Sequence, residues 1–267
     1  MVDMARDIPS WLSGILEQLE LEHPKLVSVA DIDDMVSRAE INVPGRVVAS
    51  RLKKRGWLLD TPQRGVWEFV PAEMAGAYSS ADPLIPLKAF SLAHPTIEYA
   101  LTSQTAAWAH GLADRLPARI EVSFPIAPKV KVPSEIWQSV YQSNLPLARV
   151  KNVFALAPEA IAVHMAQRPS AVRSWHSVPE WLPDIAYEMD ICDILTELDG
   201  RPASVWARTA YLLSGMRPDV ADGIAAVFTP KSKIRFGTGG SAKRCDERWM
   251  VADMTLPFDP RTMERVR

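Results

Sequence analysis

The chain has 267 residues, 48% of them hydrophobic and 23% charged, a balance that excludes disorder as the main state and suits one large globular domain or two ordinary ones. A formal charge of −2 excludes a uniformly basic nucleic-acid coat, although local patches remain open until the charge is mapped along the chain. Cys192 and Cys245 are the only two cysteines and read as free thiols of a reducing compartment; no apolar run approaches about 20 residues and residues 1–7 hold two acids, so the expected location is the cytoplasm, without a membrane partner.

Pro9-Ser10 precedes Trp11, Leu12, Ile15, Leu16 and Leu19, one apolar stripe at helical spacing with Ser10 as cap candidate. Val27-Ser28 offers a short extended piece and a second cap, before Ile32, Met35 and Val36 line one face of a helix whose other face is acidic. Asn42-Val43-Pro44 starts a third helix that runs to about Arg55 and stops at Gly56. Two strand-like runs, 57–59 and 66–70, then flank the turn Asp60-Thr61-Pro62-Gln63-Arg64-Gly65, which predicts a β-hairpin.

Charge is segregated along this stretch. Asp31, Asp33, Asp34 and Glu40 come first, and residues 42–65 then hold six cations against the single acid Asp60. Three helices followed by a hairpin with an arginine at its tip is the order of a winged helix-turn-helix, whose third helix enters the major groove. At about 100° per residue, Val48 and Leu52 fall on one side of the third helix, while Arg46, Ser50, Lys53 and Lys54 cluster opposite and Arg51 and Arg55 lie at the flanks. The candidate DNA contacts are therefore Arg46, Ser50, Arg51, Lys53, Lys54, Arg55 and Arg64: arginine can read guanine edges, serine several bases, and lysine mostly phosphate. Cations opposite a core stripe also suit an ordinary solvated helix end, and such modules serve as protein-docking platforms.

The small, polar and proline-containing segment 78–86 sets an expected domain boundary near residue 80, giving domains 1–80 and 81–267. In the second, Tyr99–Ser103 reads as a strand, Gln104–Leu112 as a helix closed by Gly111, Arg119–Phe124 as a strand and Val150–Leu156 as another, with Pro158 opening a helix. Residues 181–198 read as one largely buried helix, 205–213 as a further helix, and Ile234 with Phe236 as a late hairpin. The fold class expected is α+β: an N-terminal winged helix-turn-helix and a larger mixed α/β C-terminal domain.

Four segments resemble the AbiEi family, antitoxins and transcriptional regulators of bacterial abortive-infection operons. Residues 52–58, Leu-Lys-Lys-Arg-Gly-Trp-Leu, and 64–71, Arg-Gly-Val-Trp-Glu-Phe-Val-Pro, are similar to its N-terminal winged helix; residues 105–117, from Thr105 through His110-Gly111-Leu112 to Pro117, resemble an Ala-x-x-x-His-Gly-Leu-x-x-x-x-Pro signature of the same family. Ala157-Pro158-Glu159-Ala160 resembles its C-terminal half as well. The resemblance implies an antitoxin that represses its own operon and counters a neighbouring nucleotidyltransferase-type toxin. Its partners are then double-stranded DNA at inverted repeats in its own promoter, filled by a dimer or by two monomers, and the toxin, met directly or countered functionally.

No catalytic or metal site is expected, and no cofactor. His110 lacks a linked nucleophile and reads as a helix-end cap, the other histidines never fall at His-x-x-x-His spacing, and Gly237–Lys243 lacks P-loop spacing. Asp184, Glu188, Asp190, Asp193 and Glu197 read as a solvated acidic band, or as a partner face; Lys231, Lys233, Arg235, Lys243 and Arg244 as an exposed basic hairpin. The function expected is a DNA-binding autorepressor acting as antitoxin and not an enzyme. The alternative is a winged-helix regulator whose C-terminal domain senses a small ligand.

Overall fold

The computed structural model describes residues 9–74 and 81–263; the start at 1–7 and the 78–80 portion of the expected linker lie outside the described residues. The chain forms two compact units, Met1–Ile97 with Val130–Ile136, and Glu98–Lys129 with Trp137–Arg267. Both helices and several sheets are present, so the molecule is of mixed α+β class.

In the first unit a 3-10 turn at Ser10–Leu12 leads into α1 (Ser13–Glu22), and Ser10 does not cap with its side chain as expected. Its carbonyl instead accepts from the Ser13 hydroxyl at 2.6 Å. Strand β1 (Leu26–Ser28) runs straight into α2 (Val29–Arg38), which starts at a reciprocal cap: the Ser28 hydroxyl accepts from the Asp31 N–H, and the Asp31 carboxylate accepts from the Ser28 N–H at 2.7 Å. Helix α3 (Gly45–Lys54) comes next, then β2 (Leu58–Asp60) and β3 (Val66–Phe69), an antiparallel hairpin. The sheet order is β1-β3-β2, with β1 also antiparallel to β3. Leu12, Ile15, Leu19, Ile32, Val48 and Leu52 form the heart of the core, each worth about 1.5–3 kcal/mol on complete burial. Helix α4 (Ile85–Ala93) belongs to the same unit, packing Leu87, Ala89 and Phe90 inward and lying against β1 and β3.

The second unit begins with β4 (Ala100–Leu101), α5 (Ser103–Ala109), β5 (Ile120–Phe124) and β6 (Ile136–Val140). The strand expected over 150–156 is instead a hairpin of β7 (Ala148–Val150) and β8 (Val153–Ala155), because Lys151 and Asn152 take left-handed φ values of 49° and 62° and reverse the chain in two residues. These strands form one sheet of order β6-β5-β4-β8-β7, in which β4 is antiparallel to β5 and parallel to β8. Helix α6 (Pro158–Gln167) is buried on every side from Glu159 to Ala166, its alanines letting neighbouring helices approach closely.

Residues 181–198 are not one helix. They form α7 (Leu182–Glu188) and α8 (Ile191–Leu198), broken at Met189-Asp190. Three groups hold the break: Asp190 caps α8 by accepting from the Cys192 N–H at 2.7 Å, Glu159 of α6 accepts from the Asp190 N–H at 2.9 Å, and Arg217 donates to the carbonyls of Ala186 and Met189 at 2.6 and 2.9 Å. The resulting turn exposes Cys192, a free thiol as expected. It also divides the acidic band: Glu188, Asp190 and Asp193 are exposed, whereas Glu197 is completely buried and bonded.

Helices α9 (Ala203–Leu213) and α10 (Pro218–Val227) pack on α6 and α8. The chain ends in β9 (Ile234–Phe236), β10 (Arg244–Asp246) and β11 (Val251–Asp253), of order β10-β11-β9. Ile234 and Phe236 therefore form no hairpin with the next strand in the chain, β10; β9 runs parallel to β11, whose three buried residues take the centre of the sheet. The expected exposed basic hairpin is partly engaged internally: Lys243 donates to the Thr255 carbonyl at 3.1 Å, and Arg244 pairs with the fully buried Asp253 at 2.8 Å.

Candidate nucleic-acid interface

Helix α3 positions the candidate contacts. Val48, Ala49 and Leu52 bury its inner face, which leaves Arg46, Ser50, Lys53 and Lys54 exposed on the outer one. Spacing of i, i+4 and i+7 sets Arg46, Ser50 and Lys53 in one stripe. That stripe faces the β2–β3 loop, and together with Thr61, Gln63 and Arg64 it lines a groove of about 290 Å³. Two residues without any charge to mark them in the sequence, Thr61 and Gln63, shape this loop: Thr61 donates to the Val66 carbonyl at 2.8 Å and accepts from the Gln63 N–H at 3.2 Å. Gly65 turns the chain with φ 81°, a conformation costly for any side-chain-bearing residue.

The other three predicted residues lie around the groove. Arg51 rests over the Trp11 ring, 4.9 Å from its centroid, which orients its guanidinium from the flank. Lys54 is exposed at the last turn, and Arg55, half-buried, is the C-cap before Gly56 at φ 75°. Lys53 is not a bare cation: its ammonium lies 2.5 Å from Asp60 Oδ2 in a solvent-exposed pair that exchanges cheaply for another anion. Val47 is an exposed apolar side chain beside Arg46, a feature the charge pattern does not reveal.

The start of α3 depends on an acid that looked like surface. Neither Asn42 nor Pro44 supplies a side-chain cap; Asp33 Oδ1 of α2 accepts from the Gly45 N–H at 2.7 Å instead. A Cβ at Gly45 would stand 2.4 Å from that oxygen. Gly45→Ala is therefore expected to push the carboxylate off the helix and cost about 1–3 kcal/mol, and Asp33→Ala about 1 kcal/mol, measured by urea unfolding. Equal stability of Gly45→Ala and the parent chain would show that Asp33 does not hold α3.

In the second unit His110 is the C-cap residue of α5, and its Nε2 lies 2.9 Å from the Leu156 carbonyl, tying that helix end to the segment after β8. Among the described residues no group of three or more His, Cys, Asp or Glu side chains could hold a metal ion, and no helix is long and apolar enough to cross a membrane.

Residues 99–215 match the family model described as the AbiEi antitoxin C-terminal domain. The whole chain is similar to a solved structure, the crystal structure of RV2827C protein from Mycobacterium tuberculosis, with 24% sequence identity, a TM-score of 0.76, and coverage of 94% of this chain and 93% of that one. At that identity the likeness is one of fold. A comparison with curated proteins returns no match.

Proposed function

We propose, for a chain whose residues 99–215 match the model of the AbiEi antitoxin C-terminal domain, that residues 1–80 are a winged helix-turn-helix repressing the operon that encodes them, and that residues 81–267 counter a nucleotidyltransferase-type toxin encoded beside it. The observation that supports the DNA-binding half of this reading is the groove between α3 and the hairpin loop, where Arg46, Ser50, Lys53 and Arg64 converge. In this reading α3 enters the major groove of operator DNA, Arg46 and Ser50 meet base edges, and Lys53, Lys54, Arg51, Arg55 and Arg64 meet phosphates or, for Arg64, the adjoining backbone. Release of Asp60 from Lys53 accompanies phosphate contact, one anion replacing another.

Binding of the full chain to its own promoter, titrated over a salt series, tests the reading. With four of these five cations holding one phosphate each, log affinity falls against log salt at a slope of roughly −3 to −4. Lys54→Ala weakens all sequences alike, whereas Arg46→Ala or Ser50→Ala costs about 1–3 kcal/mol on the preferred site and relaxes its preference. A salt-independent interaction, or none, removes the DNA-binding half. Growth rescue from the co-expressed neighbouring toxin tests the other half separately.

A further inference from the structure

A second recess lies wholly within the C-terminal unit and takes no part in DNA contact. It is a cleft of about 470 Å³, in the size range of small-molecule sites, between the start of α5, the start of β5 and the 172–181 segment. Its inner wall contains Ser103, Glu121 and Trp181, each at most 3% exposed. Arg119 and Arg173, both exposed, line its rim, and Pro117 and Val172 add apolar surface.

Each inner residue is left incomplete. Ser103 holds a left-handed φ of 48°, which a side-chain-bearing residue adopts only under constraint, and its hydroxyl makes no hydrogen bond to any described residue. The Trp181 indole N–H is buried without a partner. Glu121 accepts from the Thr105 N–H at 3.2 Å, with the backbone N–H groups of Gln104 and Arg173 also turned toward it, and keeps acceptor capacity open on its carboxylate. No cation forms an ion pair with it among the described residues, the Arg173 charge acting only from a distance, and burial pushes its carboxyl up to about 7. A buried carboxyl without a paired cation, facing a cavity, lacks the partner that would stabilise its charge.

The rim supplies the opposite sign. No acid besides Glu121 lines the cleft, and the Arg173 guanidinium is oriented by the Trp137 ring, 3.9 Å from its centroid. A ligand complementary to both ends carries an ammonium for Glu121 and Ser103 and a carboxylate for Arg119 and Arg173, with an apolar body against Pro117 and Val172. We propose that this cleft binds a free α-amino acid with an apolar side chain, its ammonium at Glu121 and Ser103 and its carboxylate at Arg119 and Arg173.

Isothermal titration of the full chain with L-leucine, 4-methylpentanoate (no amine), isopentylamine (no carboxylate) and inorganic phosphate, and then with the remaining apolar L-amino acids, tests this. Expected are saturable binding of L-leucine or another apolar L-amino acid and at least tenfold weaker binding of both truncated analogues. Glu121→Gln and Arg173→Ala should each weaken the amino acid at least tenfold. Ser103→Gly relieves the backbone constraint while removing the hydroxyl, so it should weaken binding without lowering the melting temperature, and it keeps the test open if Glu121→Gln folds poorly. Binding of no apolar amino acid, equal binding of the deaminated analogue, or phosphate competing with L-leucine at equal strength would overturn the proposal. None of these outcomes depends on whether the chain binds DNA.

Discussion

Glu197→Ala is expected to destabilise the C-terminal unit by about 3–5 kcal/mol, the largest effect of any single substitution considered, because it strands several buried partners at once. The Glu197 carboxylate accepts from the Tyr141 hydroxyl, from the Ser143 hydroxyl at 2.8 Å, and from the N–H groups of Asn144 and Leu145 at 2.8 and 3.1 Å. It also pairs with Arg201, whose side chain is 11% exposed and which donates further to the Glu197 and Gln142 carbonyls at 2.7 and 2.8 Å. Asn144 completes the joint by donating to the Glu197 and Asp199 carbonyls at the end of α8, at 3.1 and 3.0 Å. Removing the carboxylate, which is itself completely buried, leaves the guanidinium, the hydroxyls and two N–H groups without their common acceptor. Glu197→Gln keeps the shape and part of the acceptor capacity, so its loss should be smaller. Denaturant unfolding of the two variants decides the matter: a loss below about 1 kcal/mol for Glu197→Ala would mean that these bonds contribute no more than an exposed pair.

A second expected result concerns acid. His164 is completely buried on α6, its Nδ1 lies 2.7 Å from the Thr102 hydroxyl, and burial with the nearby Arg168 and Arg201 charges pushes its imidazole down to about 3. Its pKa is lowered on folding, so the stability it contributes is present above about pH 6.5 and is lost as pH falls toward 3, about 5 kcal/mol in all. Glu121 works in the opposite sense. Burial raises its carboxyl to about 7, so the folded chain holds a proton that the unfolded chain releases, and about 3 kcal/mol of stability is lost as pH rises from about 4.5 to 7. Glu159, also raised by burial, adds to the Glu121 effect.

Between about pH 4.5 and 6.5 the slopes of His164 and Glu121 therefore nearly cancel, and below that window the His164 loss stands uncompensated. Glu121→Gln should expose it: the variant is expected to lose about 2–3 kcal/mol more than the parent chain on going from pH 7 to 4.5. His164→Gln should gain stability over the same interval. Urea titrations at half-unit pH steps check both, and pH profiles parallel to the parent's would count against the burial account of these two groups.

Local periodicity and punctuation determined the elements of the first unit. The apolar stripes of α1, α2 and α3, the Ser28 cap, the stop at Gly56 and the hairpin closed by Gly65 are all decided within a few residues, by side chains on one face and by glycines at positive φ. The same periodicity placed Arg46, Ser50 and Lys53 on one side of α3. What periodicity could not supply is the company those residues keep: Asp60 against Lys53, Trp11 under Arg51, and Asp33, twelve residues away, as the cap of α3.

In the second unit the decisive groups are far apart in the chain, and there the tertiary structure alone chose. The apolar pattern of 181–198 is compatible with one helix, and only Glu159 and Arg217, brought in from α6 and from the start of α10, bind the backbone groups freed at Met189-Asp190 and make the break stable. Glu197 sits in a run of acids indistinguishable by spacing from solvated surface until Tyr141, Ser143 and Arg201 surround it. Composition and spacing thus determined which segments coil, which extend and where positive charge gathers, since those depend on neighbours along the chain; the burial of Glu197, Glu121 and His164, and every property that comes from it, depends on partners that only the folded chain brings within reach.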